Sequence, residues 1–201
     1  MCVYRELAPS FPSPPDITGV ILAGGRSTRM GGEDKGLKIL HRQPLFSHVL
    51  AHLAPQVQGI MINANRNMER YQQGGFQVFQ DTLPGFPGPL AGMLAGLMAA
   101  PNEWSVFVPC DVPVFPQDLV QRLWHGRGDS LASFVGNGGR DHPTFALLHR
   151  ALVPELENYL GRGERKVMLF LNLIHARRVV FDDPYPAFAN LNTPKDLQNW
   201  A

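Results

Sequence analysis

The chain has 201 residues, 44% of them hydrophobic and 17% charged, with a formal net charge of +1. That length fits one compact domain with a buried core, and the charge balance excludes an electrostatic scaffold for nucleic acid and a disordered chain. No apolar run reaches the roughly 18 residues that a transmembrane helix needs, so neither nucleic acid nor a membrane is an expected partner.

Residues 1–15 stand apart as a flexible leader. Pro9, Pro12, Pro14 and Pro15 punctuate them, and they have neither the basic start nor the apolar stretch of a secretory signal. Residues 16–201 are expected to form a single domain. Ile17–Leu22 is a short, β-branched run that predicts a strand buried on both faces. A glycine-rich loop follows, from Ala23 to about Gly36. Pro44–Leu53 has helical spacing, with Pro44 suited to a first turn. Ile60–Asn63 predicts a second strand, Arg66–Gln73 a polar helix and Phe76–Phe79 a third strand ending at Asp81. After the turn-rich Pro84–Pro89, Leu90–Ala100 is apolar nearly all round and predicts a buried helix. Trp104–Pro109 is another buried strand, closed by Cys110 and Asp111, and Pro116–His125 reads as a helix.

The second half is less regular. Leu131–Val135 and Pro143–Leu148 flank Gly136-Asn137-Gly138-Gly139, the pattern of a hairpin. Ala151–Gly161 and Lys166–Ile174 predict helices, Val179–Phe181 a last strand, and Thr193–Trp200 a closing helix capped by Thr193. Strands alternating with helices predict an α/β protein. Its mainly parallel central sheet is flanked by helices in three α/β/α layers, with a small antiparallel part in the second half.

The most informative stretch is Leu22-Ala23-Gly24-Gly25-Arg26-Ser27-Thr28-Arg29-Met30-Gly31-Gly32-Glu33-Asp34-Lys35. It begins where a buried strand ends, which is where open α/β sheets bind ligands. Glycines let backbone N–H groups approach phosphate oxygens closely, and Arg29 and Lys35 add positive charge. The stretch reads as a triphosphate cradle. It is neither a P-loop, because Lys35 follows Asp34 and precedes Gly36, nor a dinucleotide fingerprint, because Gly24-Gly25-Arg26 breaks the spacing. The competing reading is a glycine-rich turn with solvated basic residues. Asp111, at its strand end, suits Mg²⁺ bound together with substrate phosphates and equally suits a cap on the turn before Val112-Pro113. Cys110, one of two cysteines with Cys2, has no adjacent base and reads as packing. Two cysteines make no disulfide framework, so a cytoplasmic location is expected. Arg165 and Lys166 form a basic turn before a helix, where a phosphate could dock.

These motifs together resemble the molybdenum cofactor guanylyltransferases, over nearly all of Ile17–Trp200. The likeness lies in the Leu22–Lys35 stretch, which has one extra residue before Lys35, and in Asn63-Ala64-Asn65-Arg66. It continues in Pro87-Gly88-Pro89-Leu90-Ala91-Gly92-Met93, Pro109-Cys110-Asp111-Val112-Pro113, Arg140-Asp141-His142-Pro143-Thr144 and Asn190-Leu191-Asn192-Thr193-Pro194. The resemblance implies a Rossmann-like nucleotidyltransferase fold and transfer of GMP from GTP to molybdenum-molybdopterin, with Mg²⁺ as cofactor. It implies that Leu22, Ala23, Gly24, Gly25, Lys35, Asn63, Asp81 and Asp111 bind the nucleotide, with Asp111 the metal ligand. Arg29, Lys35 and Asp111 are the expected catalytic groups. Arg140, His142, Asn190 and Asn192 fall on the acceptor side, where Arg165 and Lys166 would take the pterin's phosphate. A labile product implies docking to cofactor-delivery chaperones or apo-molybdoenzymes. Two alternatives stand beside this: a relative using CTP or a sugar-1-phosphate, and a nucleotide-binding module without turnover.

Overall fold

The structure is a computed structural model that describes residues 14–25, 34–83, 88–191, 193–198 and 200. The leader up to residue 13, Arg29 and Asn192 therefore lie outside the described residues.

In chain order the strands are β1 (Ile17–Leu22), β2 (Ile39–Leu40), β3 (Gln43–Pro44), β4 (Gly59–Asn63), β5 (Gln77–Phe79), β6 (Trp104–Pro109), β7 (Ala132–Asn137), β8 (Arg140–His149) and β9 (Arg177–Phe181). The helices are α1 (Leu45–Leu53), α2 (Met68–Gln72), α3 (Pro89–Ala99), α4 (Leu119–Gly126), α5 (Val153–Gly161), α6 (Val167–Leu173) and α7 (Pro194–Gln198). Seven strands form one sheet in the order β5-β4-β1-β6-β8-β7-β9. The pairings β1–β4, β1–β6, β4–β5 and β7–β9 are parallel, and β8 is antiparallel to both β6 and β7. Only β8 in that sheet opposes the common direction.

This topology gathers chain positions that are far apart. The ends of β1, β4, β5, β6, β7 and β9 share one edge. The start of β8 shares it too, because β8 returns from β7 through a two-residue turn at Gly138 and Gly139, whose φ values are 54° and 80°. Such a turn suits the right-handed twist of a hairpin.

The central strands β1 and β6 are buried on both faces, as their continuous apolar runs require. Along β6, Val106 and Val108 pack with Phe46, Val49 and Leu53 of α1 and with Leu119 and Leu123 of α4. Phe107 faces the other way, with Leu90, Met93 and Leu97 of α3, Leu156 of α5 and Phe170 of α6. The period of two thus makes the three α/β/α layers. Each fully buried Leu, Val or Phe stabilises the fold by roughly 1.5–3 kcal/mol.

The departures from expectation are local. Pro44 is the N-cap of α1, with ψ 147°, and lies outside its first turn. The polar helix shrinks to α2, because Asn67 is left-handed at φ 49°. α4 starts at Leu119, after a turn in which Leu119 N donates to Pro116 O at 3.2 Å. α5 begins at Val153, after a single 3-10 turn over Arg150–Leu152. Not expected were the 3-10 turns Lys35–Leu37 and Ala54–Gln56 and the β2–β3 hairpin, whose turn is built from His41 and Arg42 at φ 47° and 69°.

Candidate active site

The parallel ladder continues past its strands and fixes the site's floor. Ala23 N donates to Asn63 O at 2.8 Å, Ala64 N to Phe79 O at 2.9 Å and Cys110 N to Leu22 O at 3.1 Å. Leu22, Asn63, Asp81 and Asp111 therefore stand at neighbouring strand ends.

Asn63, Asn65 and Asp81 form one network. Asn63 Nδ2 donates to Asp81 Oδ1 at 2.9 Å, and Asn65 Nδ2 donates to Asp81 Oδ2 at 2.8 Å. Asp81 N donates back to Asn65 Oδ1 at 2.9 Å, and Asn65 Nδ2 also reaches Gly24 O at 3.2 Å. Arg66 Nη2 donates to Gly25 O at 3.1 Å. Asn63 is buried, and glycine backbone closes on its amide from two sides. A Cβ on Gly24 would stand 2.9 Å from Asn63 Oδ1, and one on Gly92 would stand 2.4 Å from it. Gly25 is different: it is exposed, and among the described residues nothing lies within 4 Å of where its Cβ would be.

The second cluster is Lys35 with Asp111. Lys35 Nζ donates to Asp111 Oδ2 at 3.2 Å, with the side chains 24% and 13% exposed. Both keep access to the edge while being partly shielded from water, which strengthens their effect on a bound charge. Cys110 beside them is buried, and burial pushes its thiol well up, so it stands as a protonated packing residue. Among the described residues, no group of three or more His, Cys, Asp or Glu could hold a metal ion.

The C-terminal segment closes on this pair. Leu191 N donates to Asp111 O at 2.9 Å and Phe188 N to Val114 O at 3.0 Å, so Asn190 is carried next to Asp111. The His142 ring lies 5.3 Å from that of Phe188. Partial burial there lowers the His142 pKa, as does the Arg140 charge, so the imidazole is neutral in the neutral pH range. The register between β7 and β8 jumps at this point, from Phe134↔Ala146 to Val135↔His142, which inserts Pro143-Thr144-Phe145 as a bulge. Bulges re-aim side chains next to active sites. Arg140 is exposed at the hairpin tip.

Arg165 and Lys166 are exposed and engaged locally. Arg165 Nη1 donates to the carbonyls of Leu160 and Glu164 at 2.7 and 2.6 Å, and the Tyr159 hydroxyl donates to Lys166 O at 3.0 Å. No hydrogen bond, ion pair or ring contact joins this turn to His142 or Asn190 among the described residues.

The family model for the "MobA-like NTP transferase domain" matches residues 19–176. The chain belongs to this family. It is accordingly a nucleotidyltransferase, and the resemblance carried by its motif loops agrees. It is 56% identical over 185 residues to the molybdenum cofactor guanylyltransferase of Serratia proteamaculans (strain 568), covering 92% of this chain and 94% of that one. It is 54% identical over 186 residues to the enzyme of the same name from Yersinia pseudotuberculosis serotype O:1b, covering 92% and 95%. The crystal structure of molybdopterin-guanine dinucleotide biosynthesis protein A from Archaeoglobus fulgidus superposes with a TM-score of 0.71 at 21% identity, covering 90% of this chain and 95% of that one. That likeness is one of fold, and it shows the family's Rossmann-like architecture here.

Four residues at the site had no assigned role in the sequence: Asp34, Asn65, Arg66 and Tyr71. Asn65 and Arg66 lie within a motif that was legible, but their partners are Asp81, sixteen positions from Asn65, and the carbonyls of Gly24 and Gly25, 41 positions away from each. Tyr71 lies in the segment expected as a polar helix, and nothing local signals its bond to Asp34.

Proposed function

We propose that the chain transfers GMP from GTP to molybdenum-molybdopterin and releases pyrophosphate, as a molybdenum cofactor guanylyltransferase. The observation that carries the reading is 54–56% identity, over 92% of the chain, to two relatives of that name. The geometry supports it. An amide–carboxylate network beside glycine backbone can read the donor–acceptor edge of guanine and its ribose. A lysine and an aspartate at the adjoining strand end can handle phosphate charge.

The acceptor's phosphate is already ionised, so no general base is required. One of its oxygens bonds to the α-phosphorus of GTP, and the bond from that phosphorus to the β-phosphate oxygen breaks. The chain's task is to align the two reactants and to stabilise charge on the α-phosphate and the leaving pyrophosphate. Lys35 and Arg29, with the N–H groups of Gly24 and Gly25, supply that stabilisation. Asn63 and Asp81 orient the base. Mg²⁺ would be held by Asp111, whose carboxylate is 13% exposed at its strand end, because Mg²⁺ bound with substrate phosphates needs only one or two carboxylates. Bound there, a divalent metal would supply neutralisation of the phosphate charge.

Acceptor binding falls to Arg140, His142, Asn190 and Asn192, with Arg165 and Lys166 offering charge to the pterin's phosphate. The reaction belongs in the cytoplasm, in keeping with Cys110 as a free thiol. None of the chain's described helices is long and apolar enough to cross a membrane. The labile product would pass to cofactor-delivery chaperones or apo-molybdoenzymes.

The test is pyrophosphate release with each nucleoside triphosphate, Mg²⁺ and molybdenum-loaded molybdopterin. GTP should exceed CTP and ATP by ~100-fold or more, because polar groups built for one base edge are left unpaired by another. Comparable turnover with CTP would move the chain to the cytidylyl branch of the fold.

A further inference from the structure

We propose that Tyr71 is a positioning residue for nucleotidyl transfer, acting through Asp34 to set Lys35 against Asp111. The inference rests on the nucleotide reading of Lys35 given above.

Asp34 is a buried carboxylate, 8% exposed, that caps the 3-10 turn carrying Lys35. Its Oδ1 accepts from Gly36 N at 3.2 Å and from the Tyr71 hydroxyl at 2.6 Å, and its Oδ2 accepts from Asn67 Nδ2 at 3.4 Å. A buried carboxylate needs such donors, because an unsatisfied charge would be costly. The turn is then held by Leu37 N donating to Asp34 O at 3.2 Å and Lys38 N to Lys35 O at 3.1 Å.

Packing surrounds Tyr71 itself. It is fully buried, and its ring meets Phe46 of α1 edge-on at 4.9 Å. Burial, together with the nearby Cys110 and Asp34, keeps its hydroxyl protonated, so it always donates. Gly36 is wedged in the same place: a Cβ there would stand 2.5 Å from the Tyr71 oxygen and 3.4 Å from Cys110 Cβ. Packing and hydrogen bonds therefore run without a gap from α1 through Tyr71 and Asp34 to Lys35, 3.2 Å from Asp111.

The same short stretch serves both sides of the glycine-rich motif. Asn65 and Arg66 hold the carbonyls of Gly24 and Gly25 on its N-terminal side, and Asn67 and Tyr71 hold Asp34 on its C-terminal side. Residues 65–71 thus tie the base end of the nucleotide site to its phosphate end.

The experiment is a double-mutant cycle of Tyr71→Phe and Lys35→Ala on GTP affinity by calorimetry with Mg²⁺, alongside pyrophosphate release. Tyr71→Phe keeps the ring and removes only the hydroxyl. It should weaken GTP binding by about tenfold, or about 1.4 kcal/mol, and lower kcat while leaving KM for the molybdopterin acceptor unchanged. In the Lys35→Ala background it should add nothing further. Gly36→Ala, which displaces the hydroxyl, should reproduce Tyr71→Phe. Equal losses from Tyr71→Phe with and without Lys35 would make Tyr71 a merely structural residue and overturn the proposal. So would wild-type affinity and turnover in Tyr71→Phe while Lys35→Ala is impaired. Full affinity and turnover in Lys35→Ala would instead remove the nucleotide role of Lys35 and this proposal with it.

Discussion

Gly24 and Gly25 are adjacent and do different work. Gly24 must lack a side chain because the Asn63 and Asn65 amides stand 2.9 and 2.8 Å from where a Cβ would be. Gly25 meets nothing there, and its φ is not in the left-handed range. Among the described residues nothing calls for glycine at 25, whereas a closely approaching ligand would. Gly25→Ala should leave the thermal midpoint within about 2 °C of wild type, as expected for a surface change within ~0.5 kcal/mol. Its GTP affinity should fall about tenfold or more. Calorimetry beside a melting curve checks both halves, and unchanged GTP affinity would take the nucleotide off Gly25.

At the scale of elements, the buried strands were legible because continuous apolar runs leave few alternatives. β1 and β6 have the expected bounds. The closing helix was legible through its cap: Thr193 Oγ1 accepts from Asp196 N at 3.1 Å, and Asp196 Oδ2 accepts from Thr193 N at 2.8 Å. Thr193→Ala should cost about 1 kcal/mol, or a fall of roughly 2–4 °C in thermal midpoint for a chain of this size, with GTP affinity unchanged. A larger loss, or one in GTP binding, would give this helix a role in the nucleotide site. The β2–β3 hairpin was illegible for a physical reason. Its strands are two residues each, too short to show a period, and its turn uses His41 and Arg42 where glycine or asparagine would have signalled one. Spacing alone could put Asn63 and Asp111 at strand ends, while their roles toward a nucleotide and a metal came from the resemblance. The Asp34–Tyr71 bond could not, because hydrogen bonds between distant side chains leave no local pattern.

Across the whole molecule, one reversed strand decides the layout. Because β8 alone runs against the sheet, its first residues Arg140 and His142 return to the edge where β1, β4 and β6 end. The 188–191 segment then joins that edge to Asp111 through Phe188 and Leu191. This arrangement favours a division of labour, with GTP on Leu22–Lys35, Asn63, Asp81 and Asp111, and the pterin on the later residues. Asn190→Ala with Asn192→Ala should weaken molybdopterin binding while GTP affinity stays within about twofold, a difference below ~0.5 kcal/mol. A tenfold loss of GTP affinity with pterin binding intact would reverse the two halves. Lys35 on its 3-10 turn and Asp111 at its strand end form the pair expected to handle the phosphate charge. Pyrophosphate release from GTP by Asp111→Ala, beside wild type and with molybdenum-molybdopterin present, tests that role most directly. Losing one such electrostatic contact costs roughly 3–4 kcal/mol, so turnover should fall by two orders of magnitude or more with an unchanged circular dichroism spectrum. Near-normal release by a folded Asp111→Ala protein would contradict the claim.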